Sequence, residues 1–224
     1  HESQLQNSIG LCHPHFWGVY AFDIDKSHLK SGKLCISSAK GILPDGSYFD
    51  FPNIDNAPPA LDIDESHLNS TVYLAVTIKR YGNTETFRDN LTQSRYGLTE
   101  HEARDVSGSS SMKQSLEVAG LSFSLRTDKD DNNEFSCVAI GVIESVTLSG
   151  EITLKEHFIP PCLNIKSNGY VANFLSELVK LAQHRISALA ARVSVAGKAT
   201  TTEVTDFLML QSLNRHYPVL VNLD

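Results

Sequence analysis

Two carboxylates in the stretch "GILPDGSYFDFP" are the first residues of this chain that could do chemistry. Asp45 and Asp50 lie near aromatic side chains, which would suit the acid pair of a sugar-binding groove. Such a pair needs carboxyl groups about 5 to 9 Å apart and one with a raised pKa. The Pro-Asp-Gly sequence at 44–46 instead predicts a three-residue hairpin turn, with glycine in the left-handed position. We therefore expect Asp45 at an exposed tip and Asp50 on the solvent face of a strand, and no catalytic residues here.

A second candidate site is the sequence "CHPH", which offers three possible metal ligands within four residues. The side chains are Cys12, His13 and His15, and the proline between the histidines limits how they could converge on one ion. No partner motif with zinc-ligand spacing occurs elsewhere. We favour a joint between a helix and a strand that carries exposed histidines, and we predict no metal.

A repeated sequence resembles the start of a calcium loop, since "DIDKSHL" recurs as "DIDESHL". A calcium loop needs glycine at its sixth position and a bidentate glutamate at its twelfth. His28 and His67 occupy the sixth positions here, and Leu34 and Tyr73 the twelfth. The favoured interpretation is a one-turn helical corner between strands, in which Asp and Ser cap free N–H groups.

The composition excludes several classes of protein. The 224 residues include 19 basic and 26 acidic side chains, a net charge of −7, and the basic residues form no stripe for nucleic acid. No apolar run approaches the roughly 18 residues that span a bilayer, so direct membrane insertion is not expected. Four irregularly spaced cysteines suit a reducing, cytoplasmic setting. No nucleotide-binding or hydrolase motif occurs, so neither enzyme activity nor a cofactor is predicted.

The middle of the chain alternates apolar and polar residues with a period of two, as strands with one buried face do. Inward-facing residues are predicted at Tyr20, Phe22 and Ile24, and again at Val72, Leu74, Val76 and Ile78. Further strand candidates are 33–43, 47–51, 97–106, 115–126, 135–143, 146–148 and 152–154. Many short strands without intervening helices predict a β-sandwich or barrel.

The end of the chain has helical periodicity instead. After the two prolines at 160–161, Ser167 is predicted to cap a helix that starts near Asn168. Its heptad seam consists of Leu175, Val179, Ala182, Ile186, Leu189 and Val193, and an adjacent apolar stripe consists of Val171, Phe174, Leu178 and Leu181. A helix this apolar belongs inside a bundle, to which other subunits could contribute helices.

A second helix is predicted from a capping box formed by Thr200 and Glu203. It is expected to end near Tyr217, with Pro218 opening a third helix. The predicted organisation is the end of an N-terminal helix or arm (1–13), an all-β sandwich domain (14–163) and an α-helical bundle segment (164–224), α+β overall.

Several segments together resemble the TssK family. They are "FWGVYAFDID", "GILPDGSYFDFP", "APPALDI", "TVYLAV", "HFIPPCLNI" and "DFLMLQSLNRHYPVL", in the order and spacing of that family. TssK proteins are structural subunits of the baseplate of the bacterial type VI secretion system. The resemblance covers nearly the whole chain, and the combination of segments is specific where each alone is not.

The resemblance implies a homotrimer with a β-sandwich shoulder, a helical neck and a C-terminal head. The shoulder docks on a baseplate wedge of TssF, TssG and TssE, and the head engages TssL and TssM of the membrane complex. A protein of this family would thereby link the wedge to the membrane complex in the cytoplasm, at the inner membrane of a Gram-negative bacterium. This role involves no catalysis, metal or cofactor.

The chain departs from the family pattern at both ends, where the family's N-terminal segment and head are missing. We therefore expect a fragment of a longer protein. The seam residues are candidates for packing in a trimeric neck, although the same seam could pack only against the second helix of one chain. His13, His15, Phe16 and Trp17 are candidate wedge contacts, although a lone Trp more often belongs to a core.

Two other functions remain as alternatives. A receptor- or carbohydrate-binding β-sandwich, related to phage receptor-binding proteins, would need an exposed aromatic platform. Most aromatic residues here alternate inward instead. An enzyme with a metal at "CHPH" is the third possibility.

Overall fold

The computed structural model describes residues 16–79, 86–87, 94–104, 113–195 and 201–223. The chain forms two compact units, His1–Asn164 and Ile165–Asp224. Strands make up the first unit and two long helices the second, which confirms the predicted α+β class.

The first unit contains twelve strands among the described residues. They are β1 (Gly18–Ile24), β2 (Lys33–Leu34), β3 (Ile36–Ile42), β4 (Tyr48–Phe51), β5 (Leu61–Asp62), β6 (Thr71–Thr77), β7 (Thr86–Phe87), β8 (Tyr96–Arg104), β9 (Lys113–Leu121), β10 (Ser124–Thr127), β11 (Phe135–Val146) and β12 (Ile152–Leu154). They form a four-stranded sheet of order β10-β6-β11-β12, two three-stranded sheets of orders β1-β3-β4 and β7-β8-β9, and the pair β2-β5. Every pair is antiparallel except β7 and β8.

The core lies between the β1-β3-β4 sheet and the β10-β6-β11-β12 sheet. The predicted inward face of β6 is confirmed, because Val72, Leu74 and Val76 are fully buried. Phe49 and Phe51 of β4 face the same core, and their ring centroids lie 5.6 and 5.3 Å from that of Phe123. Offset and edge contacts of this kind stabilise aromatic clusters beyond the area they bury.

Strand irregularities account for the incorrect strand predictions. The predicted inward face of β1 is wrong at Tyr20, which is half exposed, because a bulge after Val19 shifts the register with β3. Ile78 follows the end of β6 and is partly exposed. The candidates 135–143 and 146–148 overlap one continuous strand, β11, whose bulges interrupt the alternation of side chains.

The predicted hairpin turn between β3 and β4 is confirmed. Leu43 N–H donates to Ser47 O, Gly46 N–H donates to Leu43 O, and Gly46 has φ = +83°. These are the features of a three-residue turn in which glycine takes the left-handed position.

The two repeated sequences form helical corners, as predicted. The first contains a short helix, α1 (Lys26–Leu29), whose N-cap Asp25 accepts from Ser27 N–H. The second contains a 3₁₀ helix (Glu65–His67), whose N-cap Asp64 accepts from Ser66 N–H. The Asp and Ser side chains of both repeats therefore satisfy backbone groups, as N-caps do.

The second unit is a helical pair, α2 (Gly169–Val195) and α3 (Thr201–Leu223). The Asn168 side chain accepts from Val171 N–H at 3.1 Å, so it serves as the cap that was predicted at Ser167. Ser167 ends a preceding 3₁₀ helix instead.

The predicted end of the second helix at Tyr217 is wrong, because α3 continues through Pro218. Proline removes one backbone hydrogen bond from the helix, which nevertheless continues to Leu223.

Candidate functional site

Asp45 lies at the exposed hairpin tip, as predicted, and its carboxylate forms an ion pair with the buried side chain of Arg95. Its Oδ2 lies 2.9 Å from Nη2 of Arg95, and the two side chains keep only 21% and 6% of their exposure. The guanidinium also donates to Thr77 O, at 2.6 Å, and to the Ser47 hydroxyl. The carboxylate therefore supports the turn by binding a buried guanidinium.

Asp50 is buried, which corrects its predicted place on the solvent face of β4. Its neighbours Phe49 and Phe51 face the core, as predicted. Asn53 donates to its Oδ1 at 2.8 Å, the Tyr48 hydroxyl donates to its Oδ2, and Lys40 Nζ lies 3.5 Å away. The Asn53 hydrogen bond, followed by those from Tyr48 and the charge of Lys40, holds the pKa of Asp50 below its usual value. A lowered pKa is the opposite of what a general acid needs.

A third carboxylate, Asp55, connects two parts of the first unit. It is buried, and its Oδ2 accepts from Asp50 N–H while its Oδ1 accepts from Leu121 N–H at 2.9 Å. Two backbone donors satisfy its charge. Asp45, Asp50 and Asp55 thus act as structural acceptors around the β3–β4 hairpin.

The described residues contain no group of three or more His, Cys, Asp or Glu side chains placed to hold a metal ion. Cys12, His13 and His15, the candidates in "CHPH", lie outside the described residues. Burial raises the pKa of the Cys137 thiol, which makes it a poorer metal ligand and nucleophile at neutral pH.

The four candidate wedge contacts fall into two groups. His13 and His15 lie outside the described part of the chain. Phe16 is 49% exposed, whereas Trp17 packs against the sandwich core. The role of all four residues in binding stays a prediction.

The heptad seam of α2 lies on its more buried face. Leu175, Ala182 and Leu189 are buried, and Val179, Ile186 and Val193 are half-buried. α2 packs against α3, whose half-buried residues are Asp206, Leu210, Leu213, Tyr217 and Leu220, also at heptad spacing. Two facing heptad seams form an antiparallel helical hairpin. Contact of the seam with other subunits stays a prediction.

Three of the four residues in the stripe beside the seam are exposed in the described part of the chain. Phe174 is 60% and Leu181 62% exposed, and Leu178 is partly exposed. On α3 the exposed apolar residues include Val204, Phe207, Leu208, Val219, Val221 and Leu223. Apolar surface repeated along both helices is typical of sites of protein–protein contact.

Sequence reasoning missed Arg95 and the ribbon of β8 and β9 that follows it. Strands were predicted at 97–106 and 115–126, but nothing in their pattern indicated that both faces would be exposed. The ion pair joins residues far apart in the sequence, so no local signal identifies it.

None of the helices in the described ranges combines the length and hydropathy needed to cross a membrane.

Comparisons with known proteins agree on one family. The family model described as "Bacterial Type VI secretion, VC_A0110, EvfL, ImpJ, VasE" matches residues 1–224. The "Type VI secretion system baseplate component TssK1" of Pseudomonas aeruginosa is 33% identical over 201 residues, which are 89% of this chain and 45% of that protein.

Solved structures show the same fold. A crystal structure of TssK has a TM-score of 0.89 and 27% identity, over 99% of this chain and 50% of that one. A TssK-TssF-TssG baseplate subcomplex, determined by cryo-electron microscopy, contains a chain with a TM-score of 0.82 and 22% identity, over 98% of this chain and 72% of that one. This chain therefore spans about half the length of TssK1 and of the TssK chain in the crystal structure. Since the family model matches all 224 residues, the chain belongs to the TssK family of bacterial type VI secretion proteins.

Proposed function

We propose that this chain is a structural part of the type VI secretion baseplate and has no enzymatic activity. The observation that carries this proposal is its 33% identity with a protein named as a baseplate component. The lowered pKa of Asp50 and the ion pair of Asp45 support a structural role for the carboxylates that most resembled a catalytic pair.

The proposed partners are the wedge proteins TssF and TssG, because a chain of the same fold assembles with them in a baseplate subcomplex. TssE is included as a further wedge protein on the family resemblance alone. His13, His15, Phe16 and Trp17 are proposed wedge contacts, and exposed Phe16 is the strongest of the described pair. A link to TssL and TssM would use the family's head and would place the protein on the cytoplasmic side of the inner membrane.

We also propose that the helical pair forms the neck of a homotrimer. The seam of Leu175, Val179, Ala182, Ile186, Leu189 and Val193 would hold the pair together and border the neighbouring copies. The exposed residues Phe174 and Leu181 beside it would pack against those copies, which would remove them from water. A neck built in this way needs no metal or cofactor.

Co-elution on a size-exclusion column tests the proposed function. The purified chain is mixed with the TssF–TssG complex of the same organism, and a parallel sample contains the cytoplasmic domain of TssL. We expect the chain to elute with TssF–TssG and not with TssL. A folded chain that elutes with neither protein would overturn the proposal, and capture of TssL alone would assign the chain to the membrane complex.

A further inference from the structure

The two Asp-capped corners share a sequence, but their histidines form different hydrogen bonds. In each corner the histidine follows the cap by three residues, and its Nδ1 lies close to the carboxylate of the cap. The distance is 2.9 Å between His28 and Asp25, and 2.8 Å between His67 and Asp64. The two corners therefore compare one short motif in two surroundings within the same molecule.

In the first corner the backbone N–H of the cap is already used. Asp25 N–H donates to Cys35 O at 2.9 Å, so it is not available to the histidine. The His28 Nδ1 forms its hydrogen bond with the Asp25 carboxylate instead, at 2.9 Å. Because a carboxylate only accepts hydrogen bonds, the Nδ1 of His28 must carry a proton.

In the second corner the backbone N–H of the cap donates to the histidine. Asp64 N–H donates to the His67 Nδ1 at 3.2 Å and completes a capping box. A ring nitrogen that accepts a hydrogen bond carries a lone pair and no proton. The neutral imidazole of His67 must then carry its proton on Nε2, which is the opposite of His28.

Protonation therefore has different consequences in the two corners. The second proton of His28 goes to Nε2, and the hydrogen bond from its Nδ1 to Asp25 is kept. The second proton of His67 goes to Nδ1, where it faces Asp64 N–H, which is also a donor. Two donors form no hydrogen bond, but the Asp64 carboxylate lies 2.8 Å from the same nitrogen and can accept.

We propose that His67 is a pH-sensitive switch, and that His28, its counterpart in the repeat, is not. The neutral ring of His67 accepts from Asp64 N–H and closes the capping box. The imidazolium donates to the Asp64 carboxylate and releases the N–H. This inference concerns the first unit alone and is independent of the proposed partners of the chain.

Charged groups on two elements interact with the His67 ring. Asp64 lies on its own corner, within hydrogen-bond distance. Asp130 lies on the turn between β10 and β11, and its pKa is lowered by hydrogen bonds from Thr127 and by the charges of Arg126 and His67. The imidazolium therefore has two carboxylates and one cation near it, and Asp64 is the carboxylate that can accept its proton.

The switch lies where the corner leads into β6. The His67 carbonyl accepts from Ser70 N–H at 3.0 Å, and Asn69 N–H donates to Ile143 O at 3.0 Å. β6 runs between β10 and β11 in the four-stranded sheet. A change in the hydrogen bonds of His67 therefore acts on the corner that holds the start of an interior strand.

Long-range ¹H–¹⁵N spectra of the imidazole nitrogens test the two tautomers in the wild-type chain. His28→Gln and His67→Gln are matched variants, each of which identifies the signals of one ring by their loss. At about pH 8, where neutral imidazole predominates, we expect the unprotonated nitrogen to be Nδ1 in His67 and Nε2 in His28. The same tautomer in both rings would overturn the inference.

A titration of the backbone amides of the wild-type chain tests the switch itself. Between about pH 8 and pH 5, the range in which imidazole changes charge, the Asp64 amide signal should shift together with the His67 ring signals. Its protection against hydrogen exchange should fall about fivefold, as the loss of one hydrogen bond predicts. The Asp25 amide is the control, because it donates to Cys35 O. An Asp64 amide that changes no more than the Asp25 amide would overturn the inference.

Discussion

The guanidinium of Arg95 lies 2.9 Å from the carboxylate of Asp45, and this pair connects the start of β8 to the tip of the β3–β4 turn. Asp45 was the residue that most suggested catalysis in the sequence. In the fold its carboxylate pairs with the buried guanidinium of Arg95, the residue directly before β8. A residue with possible chemistry therefore has a structural role.

Replacing Arg95 should strongly destabilise the first unit. Arg95→Met keeps much of the side-chain volume but removes the donor to Thr77 O and to the buried Ser47 hydroxyl as well as the cation of Asp45, so it should cost about 3 kcal/mol of unfolding free energy. Asp45→Asn keeps a hydrogen-bonding group at a partly exposed position and should cost about 1 kcal/mol. Urea unfolding followed by Trp fluorescence measures both. Equal losses for the two variants would contradict the importance assigned to Arg95.

Gly41 should not tolerate a side chain. A Cβ there would lie 2.4 Å from the Gly18 carbonyl oxygen and 2.9 Å from the Phe49 ring. Gly41→Ala is therefore expected to lower the free energy of unfolding by about 2 kcal/mol, as overpacking does. Gly97→Ala is the matched control, because no atom lies within 4 Å of its added Cβ. Thermal unfolding compares the two variants. Similar melting temperatures would show that β1 and β3 can move apart to accommodate the added methyl group.

Acid should weaken the fold partly through Asp50. Its folded pKa lies below the unfolded value of about 3.9, chiefly because Asn53 donates a hydrogen bond to the carboxylate. The unfolded chain then binds the proton more readily, so this stabilisation is complete above about pH 4 and is lost as the pH falls through the folded pKa. Asp50→Asn removes this contribution. Its stability deficit relative to wild type should shrink between pH 5 and pH 3 in urea titrations, whereas parallel curves would rule out this role.

Substitutions on two faces of α2 should separate folding from assembly. Leu189 is fully buried, so Leu189→Ala should lower the stability of the helical pair by about 3 kcal/mol. Leu181 is exposed within the chain, so Leu181→Asp should leave the helical circular dichroism signal unchanged. If the chain forms a homotrimer, light scattering should show a threefold mass for wild type and a reduced mass for Leu181→Asp. A threefold mass in both would place the interface elsewhere.

The sequence pattern correctly predicted those elements of structure that are determined by residues adjacent in the chain. Alternation identified Val72, Leu74 and Val76 as core residues, because one face of β6 is buried along its length. The Pro-Asp-Gly turn and the two Asp-capped corners were also predicted correctly, since each is determined by a few adjacent residues. Tyr20 was assigned to the wrong face because a bulge shifts the register, and a period-two pattern does not reveal where a bulge lies.

The interaction surfaces depended on long-range contacts, which the pattern of residues could not supply. The heptad in α2 predicted a packed seam, but it did not distinguish packing within one chain from packing between chains. Asp50 was expected to face solvent, and the fold covers it with Asn53 from the turn that follows β4. The Arg95 anchor and the exposed faces of β8 and β9 became apparent only once the strands were placed in three dimensions.

Sedimentation velocity of the chain mixed with purified TssF–TssG tests the central claim most directly. If the chain is a baseplate subunit, we expect a new, faster-sedimenting boundary that contains all three proteins. This boundary should grow with the concentration of the chain until TssF–TssG is saturated. Two boundaries that sediment as the separate components do, with a folded chain in excess, would contradict the assignment of these 224 residues to the baseplate.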